Sequence, residues 1–569
     1  MSIEQISSQV SWGSSTTDIE TLVQQFEDDN TIARIRQKDA SLWTDDATHH
    51  AGIKDRLGWM DVLDQIDTWV KDIDTLTAEI KDEGYRYIVL MAMGGSSLGP
   101  EVIQTILKND EDHPELIVID STDPRRVNDV IAKIGDHKTL FAVASKSGTT
   151  VESFSLYKYF YNWLANVQND PNPGASFIAI TDPGMALVGI GEDKGFRKVF
   201  INPADIGGRY SVLSLFGLVY VGLIGADLDI YVGLIKKEIE ATFAGDSSDA
   251  IRLGVSMGCL AKQGRDKLTI ITPDTWNIFG DWAEQLIAES TGKEGLGVIP
   301  IVREPLVDAV ATYGVDRYFV ALLPESSSQN EKISAQLQAL KDAGHPVMII
   351  RVQNDMELGA QFFLWELACA ISGIVLRIDP FDQPNVQEAK TCTNEILKDM
   401  DADNIPLPEL SVLKPQLSIA FSNASKADAA TSENWDAFVN SIQAGDYLNI
   451  LAFMPDRVDV QSHLRDIANA FKKKTHVPTA LGIGPRYLHS TGQLHKGGPD
   501  SGVFIVLTAP VTKDADLDIP EAAFTFQQLQ LSQAFGDFKA LESKGRRAVY
   551  IQLSSLESPA WSALKDALL

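Results

Sequence analysis

From Tyr87 onward the chain repeats one alternation: a short β-rich apolar run, then a segment of helix length. The first four runs are YIVLMAM, ELIVID, LFAVAS and SFIAITD. Runs separated by helix-length segments predict parallel sheets covered by helices on both faces, an α/β fold. A second series begins at KLTIITP (267 to 273) and continues through RYFVALL, PVMIIRV and GIVLRID. A third follows a polar, Pro- and Ser-containing stretch around 401 to 435, with YLNILAFM, TALGIG, GVFIVLTA and AVYIQL. Residues 1–50 read as a polar helical extension. The expected organisation is this extension followed by α/β units at 51–250, 251–400 and 401–569, with linkers near 240–265 and 400–440.

The third unit echoes part of the second. DRYFVALLP resembles SGVFIVLTAP in pattern, and MELGAQFFLWELACAISGIVLRI resembles FTFQQLQLSQAFGDFKALESKGRRAVYIQL. A partial internal duplication is the suggested reading, although α/β units share such patterns in any case.

Charge narrows the choice of partner. The chain has 49 Lys plus Arg against 78 Asp plus Glu, a net charge of −29. A field of that sign disfavours nucleic acid and anionic membrane surfaces. It also repels a small anion unless a local site reverses the sign, so clusters of cations and hydroxyls are informative. The 3 cysteines lie far apart with no CxxC pair, which argues against a disulfide framework and a zinc site and makes the cytoplasm the expected compartment. The start, MSIEQISSQVSWGSS, lacks the cationic-then-apolar pattern of a signal peptide. The longest charge-free apolar stretch, Ser211 to Ala226, is short and Gly-rich for a membrane span and reads as a buried core helix.

Two loops suit an anion. SKSGTT, Ser145 to Thr150, lies between the apolar run LFAVA and a helical pattern. Backbone N–H groups at such a strand-to-helix turn, with added hydroxyls, can cradle a phosphate. Thr149 with Glu152 also reads as a capping box, the structural alternative. YIVLMAMGGSSLGPEV is a second strand–loop–helix pattern, in which Pro100 suits a first helical position. Gly94 and Gly95 there allow close backbone approach, and Ser96 and Ser97 bring hydroxyls.

MGGSSLGP, STDP (121 to 124), SKSGTT, GGRYSVLS (207 to 214), QLIAESTGK (285 to 293) and PFDQPNVQEAK (380 to 390) follow one another along the chain. This ordered set resembles that of the glucose-6-phosphate isomerase family. Within the family, the version fused in some bacteria to a transaldolase is most similar, and the transaldolase part is absent here. The resemblance implies two doubly wound sugar-isomerase domains, to which the alternation of runs adds a third, smaller α/β unit. It implies conversion of glucose 6-phosphate to fructose 6-phosphate, with no cofactor and no metal, by an expected homodimer.

Aldose–ketose exchange must open a hemiacetal ring, move a carbon-bound proton and stabilise an enediolate. Glu289 ends the helix GDWAEQLIAES beside a Gly turn; Glu284 lies about 140° around that helix, so both cannot face one site. The resemblance selects Glu289 as the base. It places Arg209, which follows two glycines, where it stabilises the enediolate. It gives Lys390 a part in ring opening and puts Gln383 on the substrate. Asn385 with Glu388 can form a capping box ahead of Lys390. In SKSGTT the resemblance puts Ser145, Ser147 and Thr150 on the phosphate, with Thr149 as helper and Lys146 acting electrostatically. Gly95 and Ser96 reach the sugar, and Glu152 aligns with a family active-site glutamate.

The pattern departs from the family at one point. Common bacterial members carry a histidine soon after the base, in a segment like LHSLGQ, but here no histidine occurs between Glu289 and His345. RYLHSTGQLHKGG (486 to 498) is similar to the missing segment. His489 is then the candidate ring-opening group, with His495 second; loop histidines of an accessory unit are the alternative reading. His345, in AGHPVMII, reads as structural. Two other functions fit parts of the pattern: isomerisation of a related anionic sugar, and non-catalytic sensing of a sugar phosphate. If the first two domains are self-sufficient, residues 1–400 should fold without 401–569.

Overall fold

The computed structural model describes residues 9–108, 110–245, 249–306, 310–398, 407–425 and 432–568. Strand β1 (Gln9–Ser11) opens the described chain. β2 (Tyr87–Met91), β3 (Glu115–Ile119), β4 (Thr139–Ala144), β5 (Phe177–Thr181) and β6 (Lys198–Ile201) form one sheet in the order 3-2-4-5-6. β7 (Lys267–Ile271), β8 (Ile299–Ile301), β9 (Arg317–Pro324) and β10 (Val347–Val352) form a second, in the order 1-10-9-7-8, with β1 antiparallel to β10 at its edge. The third contains β11 (Ser411–Lys414), β12 (Leu417–Phe421), β13 (Tyr447–Phe453), β14 (Thr479–Ile483), β15 (Gly502–Thr508) and β16 (Arg547–Leu553). Its order is 11-12-16-15-13-14, with β12 antiparallel to β16. The fold is α/β with three mostly parallel sheets.

The second and third sheets share one topology. In both, the parallel strands taken in chain order lie in the spatial order fourth, third, first, second, and an antiparallel strand pairs with the fourth. DRYFVALLP (β9) and SGVFIVLTAP (β15) hold the same place. The other two matched segments do not correspond. Helix Leu358–Leu376 follows the fourth strand, whereas Phe526–Ser543 joins the third to the fourth. GIVLRID, expected as a strand, is the end of Leu358–Leu376, closed by Arg377 in the left-handed conformation. That helix is buried almost all round, so it has no amphipathic period to separate it from a buried strand.

Contacts gather into two compact units that do not follow chain order. The first comprises Met1–Val118, Asp136–Thr150 and Pro171–Asp382; the second comprises Ile119–Gly135, Val151–Asp170 and Gln383–Leu569. In the first unit, the first and second sheets draw on a common hydrophobic core. Residues 9–50 belong to that core rather than forming a surface extension: Trp12, Ile19, Val23, Ile35 and Trp43 are buried in it. Trp43 Nε1 donates to the Ala370 carbonyl at 2.8 Å. Asp249–Lys262, in the expected linker near 240–265, is likewise a core helix. Its Gly254 and Gly258 let it lie against Leu358–Leu376, since a Cβ on Gly254 would sit 2.5 Å from the Ala368 carbonyl oxygen. Leu215–Leu223 is entirely buried, as expected for the apolar run around it. Asp355–Leu376 is the one described stretch long and apolar enough to cross a membrane, and it is buried in this core.

The second unit joins the third sheet and its own core to two helices from earlier in the chain, Pro124–Ile134 and Val151–Asn162. Asp120, Asp123 and Glu152 bond to side chains between 486 and 533. Residues 401–569 are thus not an independent appendage, and a chain ending at 400 would strip these groups of their partners. Within this unit Val386–Lys398 packs on Phe526–Ser543, where Gly536 lies so close that a Cβ would approach Thr393 Oγ1 to 2.6 Å.

The glycine contact in the first core gives a direct test. Gly254→Ala forces a methyl group against a backbone carbonyl, and overpacking of this sort costs about 1–3 kcal/mol. The variant should melt several degrees lower in a calorimetric scan; an unchanged Tm would mean that the two helices separate without cost.

Candidate active site

In the first unit, the GGSS loop runs from β2 into the helix Gly95–Leu107. Gly94 has φ +57°, a conformation that favours glycine. The helix begins at Gly95, so Pro100 lies inside it rather than at its first position. Gly95 is required for a different reason. A Cβ there would fall 2.0 Å from the Gly208 carbonyl oxygen and 3.0 Å from the Arg209 nitrogen. Close approach seats the loop, with buried Ser96, directly against the backbone that carries Arg209.

SKSGTT follows β4, turning at Gly148 with φ +59°. Its hydroxyls pair within the loop: Ser145 Oγ with Thr150 Oγ1 at 3.0 Å, and Ser147 Oγ with Thr149 Oγ1 at 3.1 Å. The Lys146 ammonium is held by the Asp182 carboxylate and donates to the Ala204 carbonyl at 2.7 Å. Burial pushes the Asp182 carboxyl up, against the pull of Lys146.

Arg209 is buried and every arm of its guanidinium has a partner. Nη1 lies 3.2 Å from Glu289 Oε1, and Nε donates to Ser290 Oγ at 2.8 Å. Nη2 donates to the carbonyls of Pro380 at 2.5 Å and Asp382 at 2.9 Å. Glu289 lies in the last turn of Asn277–Thr291, where the dipole opposes a negative charge. Arg209 offsets that cost, and Gln285 Nε2 donates to Glu289 Oε2 at 3.0 Å. Glu284 has other neighbours, Asp281 and Arg303, and burial raises its carboxyl well above the ordinary range.

Lys293 of the same QLIAESTGK segment received no role from its sequence. Its ammonium donates to the Asp379 carbonyl at 2.5 Å and the Asp382 carbonyl at 2.6 Å, and pairs with Asp382 Oδ1 at 2.6 Å. Three protons thus meet three acceptors, on the same short loop that Arg209 grips.

In the second unit, Glu152 is buried in the first turn of Val151–Asn162. Its Oε1 accepts from His489 Nε2 at 2.8 Å and from Gln533 Nε2 at 2.6 Å. Burial alone would raise this carboxyl, but the His489 ring and, more weakly, the Lys390 ammonium outweigh it and hold the group below its ordinary value. His489, Glu152 and Lys390 are therefore electrostatic neighbours, although more than three hundred residues separate the first two. Gln383 is exposed, with its carbonyl accepting from Val386 N at 3.4 Å. His495 does not share this neighbourhood. It is buried against Tyr487 and Phe504, bonded to Asn449 at 2.9 Å, and held well below its ordinary pKa by burial and by Lys496 and Arg546. His345, in the first unit, is a core histidine against Tyr313 and Phe319.

A guanidinium beside a carboxylate can stabilise an oxyanion next to a carbon acid, and an imidazole paired with a buried carboxylate can pass a proton. Residues 54–236 match the model of the family described as Phosphoglucose isomerase. The glucose-6-phosphate isomerase of Enterococcus faecalis is 27% identical over 385 residues, 59% of this chain and 86% of that protein. That of Campylobacter jejuni is 27% identical over 371 residues, 58% of this chain and 90% of that protein. Among solved structures, a hypothetical protein from Thermus thermophilus shares the fold, with TM-score 0.56 and 20% identity over 68% of this chain and 99% of that one. Fold, site chemistry and relatives define an α/β chain of the sugar-isomerase class. Over residues 54–236 it is similar to the phosphoglucose isomerase family.

Lys293 supplies a test by pH. Burial, with Arg209 nearby, lowers its ammonium to about 8 despite Asp382 and Asp379. In the unfolded chain the group stays protonated to about 10.4. Between these values the unfolded chain binds more protons, so this group makes stability rise with pH by about 1.4 kcal/mol per unit. Lys293→Met removes the effect. Denaturant titrations at pH 8 and pH 10 should show wild type gaining on the variant by on the order of 2 kcal/mol, and a constant difference would exclude the shift.

Proposed function

We infer that the protein interconverts glucose 6-phosphate and fructose 6-phosphate, an aldose–ketose isomerisation of glycolysis and gluconeogenesis. The Arg209–Glu289 pair carries this reading. A sensor of sugar phosphates would use SKSGTT but has no need of a buried carboxylate aligned on a guanidinium. The reaction moves hydrogen within one molecule, so it calls for no external oxidant or reductant.

In the proposed sequence, His489 protonates the ring oxygen as the hemiacetal opens, with Glu152 balancing the imidazole and Lys390 assisting. Glu289 then takes the C2 proton and returns it to C1. Arg209 stabilises the enediolate between these steps. Ser145, Ser147 and Thr150 receive the phosphate with Thr149 as helper, Lys146 supplies positive potential, and Gly95, Ser96 and Gln383 contact the sugar. A homodimer in the cytoplasm is proposed with this function. The likeness to the isomerase part of a transaldolase fusion rests on the sequence resemblance alone.

Steady-state assays of purified protein on a panel of 6-substituted sugars test the reading. Glucose 6-phosphate should show the highest kcat/KM, and preference for a 6-sulfonate or an amino sugar would reassign the substrate. Glu289→Gln keeps shape but accepts no proton, and should lower kcat by ~10²-fold or more with KM little changed. Ser147→Ala and Thr150→Ala should instead raise KM, each by the worth of a hydrogen bond to a charged group, about 1.5–3 kcal/mol. Wild-type turnover in Glu289→Gln would remove it from the mechanism.

A further inference from the structure

Glu152 Oε1 accepts two hydrogen bonds, and only the one from His489 belongs to the sequence resemblance. The other comes from Gln533, on the helix Phe526–Ser543. Gln533 Oε1 in turn accepts from Thr122 Oγ1 at 2.9 Å. Glu152, Gln533 and Thr122 are all buried, so water cannot substitute for any of these bonds.

The direction of this chain follows from charge. An ionised carboxylate only accepts, so Gln533 must turn its NH₂ toward Glu152. Its carbonyl then faces Thr122, whose hydroxyl must donate. Reversing the amide would set a carbonyl oxygen against a carboxylate oxygen. With Nε2 of His489 donating to Glu152, the basic nitrogen of the neutral ring is Nδ1.

The frame around the chain is also built. Gln530, one turn before Gln533, donates to Asp123 Oδ2 at 3.0 Å, and Asp123 also holds Arg125. Arg486, three residues before His489, donates to Asp120 at 2.7 Å. Asp537, one turn after Gln533, is neutralised by Lys496 and accepts from Tyr487 at 2.7 Å. Lys390 is the other charge felt by Glu152.

We propose that Gln533, oriented by Thr122, is a positioning residue that holds the Glu152 carboxylate in place and, through it, fixes the His489 ring in the orientation used for ring opening. The proposal rests on the ring-opening role of His489. It gives a function to Thr122 of the STDP motif and to Gln533, which lies outside the motifs, and a reason for the third sheet to be built around helix Val151–Asn162.

The test combines kinetics with NMR titration of the His489 Cε1–H signal in the full chain. Gln533→Leu should lower kcat on cyclic glucose 6-phosphate about tenfold or more, with KM little changed, as losing a partner that orients a reacting group does. Turnover of an analogue blocked at both O4 and O5, which can form neither pyranose nor furanose, should be spared relative to its own wild-type rate. Thr122→Val, close to isosteric, should reproduce the loss in part, and Thr122→Ser should restore it. Gln533→Glu places a second carboxyl against Glu152; once ionised it should raise the His489 midpoint by about one pH unit or more, and the alkaline limb of kcat with it. Wild-type kinetics and an unmoved His489 titration in Gln533→Leu and Gln533→Glu would overturn the proposal. If Gln533→Leu fails to fold, Thr122→Val against Thr122→Ser decides. Should His489→Ala leave cyclic turnover intact, the ring-opening role falls, whereas Gln533 is still judged by the His489 titration.

Discussion

A guanidinium buried at position 209 is the constraint to which the rest of the first unit answers. An unpaired buried charge is expensive, so each arm of Arg209 must find an acceptor. Those acceptors come from the end of the helix Asn277–Thr291 and from the loop at 379–382. Two stretches far apart in sequence are thereby fixed to one side chain, and Gly95 is seated on the backbone that carries it. A lysine could not do the same, because its point charge lacks a planar fork that reaches several acceptors at once. Lys293 adds a second cation on the same loop. The chain as a whole carries −29, yet here two buried cations lie on one loop, Arg209 paired with Glu289 and Lys293 with Asp382.

The shared topology of the second and third sheets gives the displaced histidine a place. LHSTGQ lies in the connection between β14 and β15, the second and third parallel strands of the third sheet. The corresponding connection of the second sheet, between β8 and β9, follows Glu289 and holds no histidine. The segment is out of order in the sequence but in the same position within its own sheet. Its three neighbouring bonds, from Arg486 to Asp120, from His489 to Glu152 and between Gln493 and Asn385, all join it to stretches that precede residue 400.

Legibility in the sequence followed burial. Parallel strands buried on both faces are unbroken apolar runs, so β2, β4, β9, β13 and β15 could be read directly. The same property misled at GIVLRID, because a helix buried all round is equally unbroken. Residues 9–50 looked polar because their few apolar side chains are spaced to one face, and that face is what joins the core. The glycine loops could be recognised as close approaches, but not what they approach: nothing local tells that Gly95 meets Gly208. Lys293 and Thr122 lie in quoted motifs but received no role there, and Gln533 gave no signal at all, since the partners of each are brought near only by the folded chain.

Both predicted capping boxes show what replaced local rules. Glu152 should have turned back to its own helix start, yet its carboxylate goes to His489 and Gln533. Asn385 does meet Glu388 at 3.0 Å, but its backbone N–H donates to Gln493 Oε1 and its Oδ1 accepts from Gln493 Nε2, each at 2.8 Å. Gln493 is the last residue of LHSTGQ. The starts of two helices, one bearing Glu152 and the other Lys390, are thus held by side chains from the connections of the third sheet as well as by their own first turns. Both helix starts and the His489 ring are in this way tied to one frame instead of to separate flexible ends, and a frame of that kind fixes side-chain geometry more closely than a single cap can.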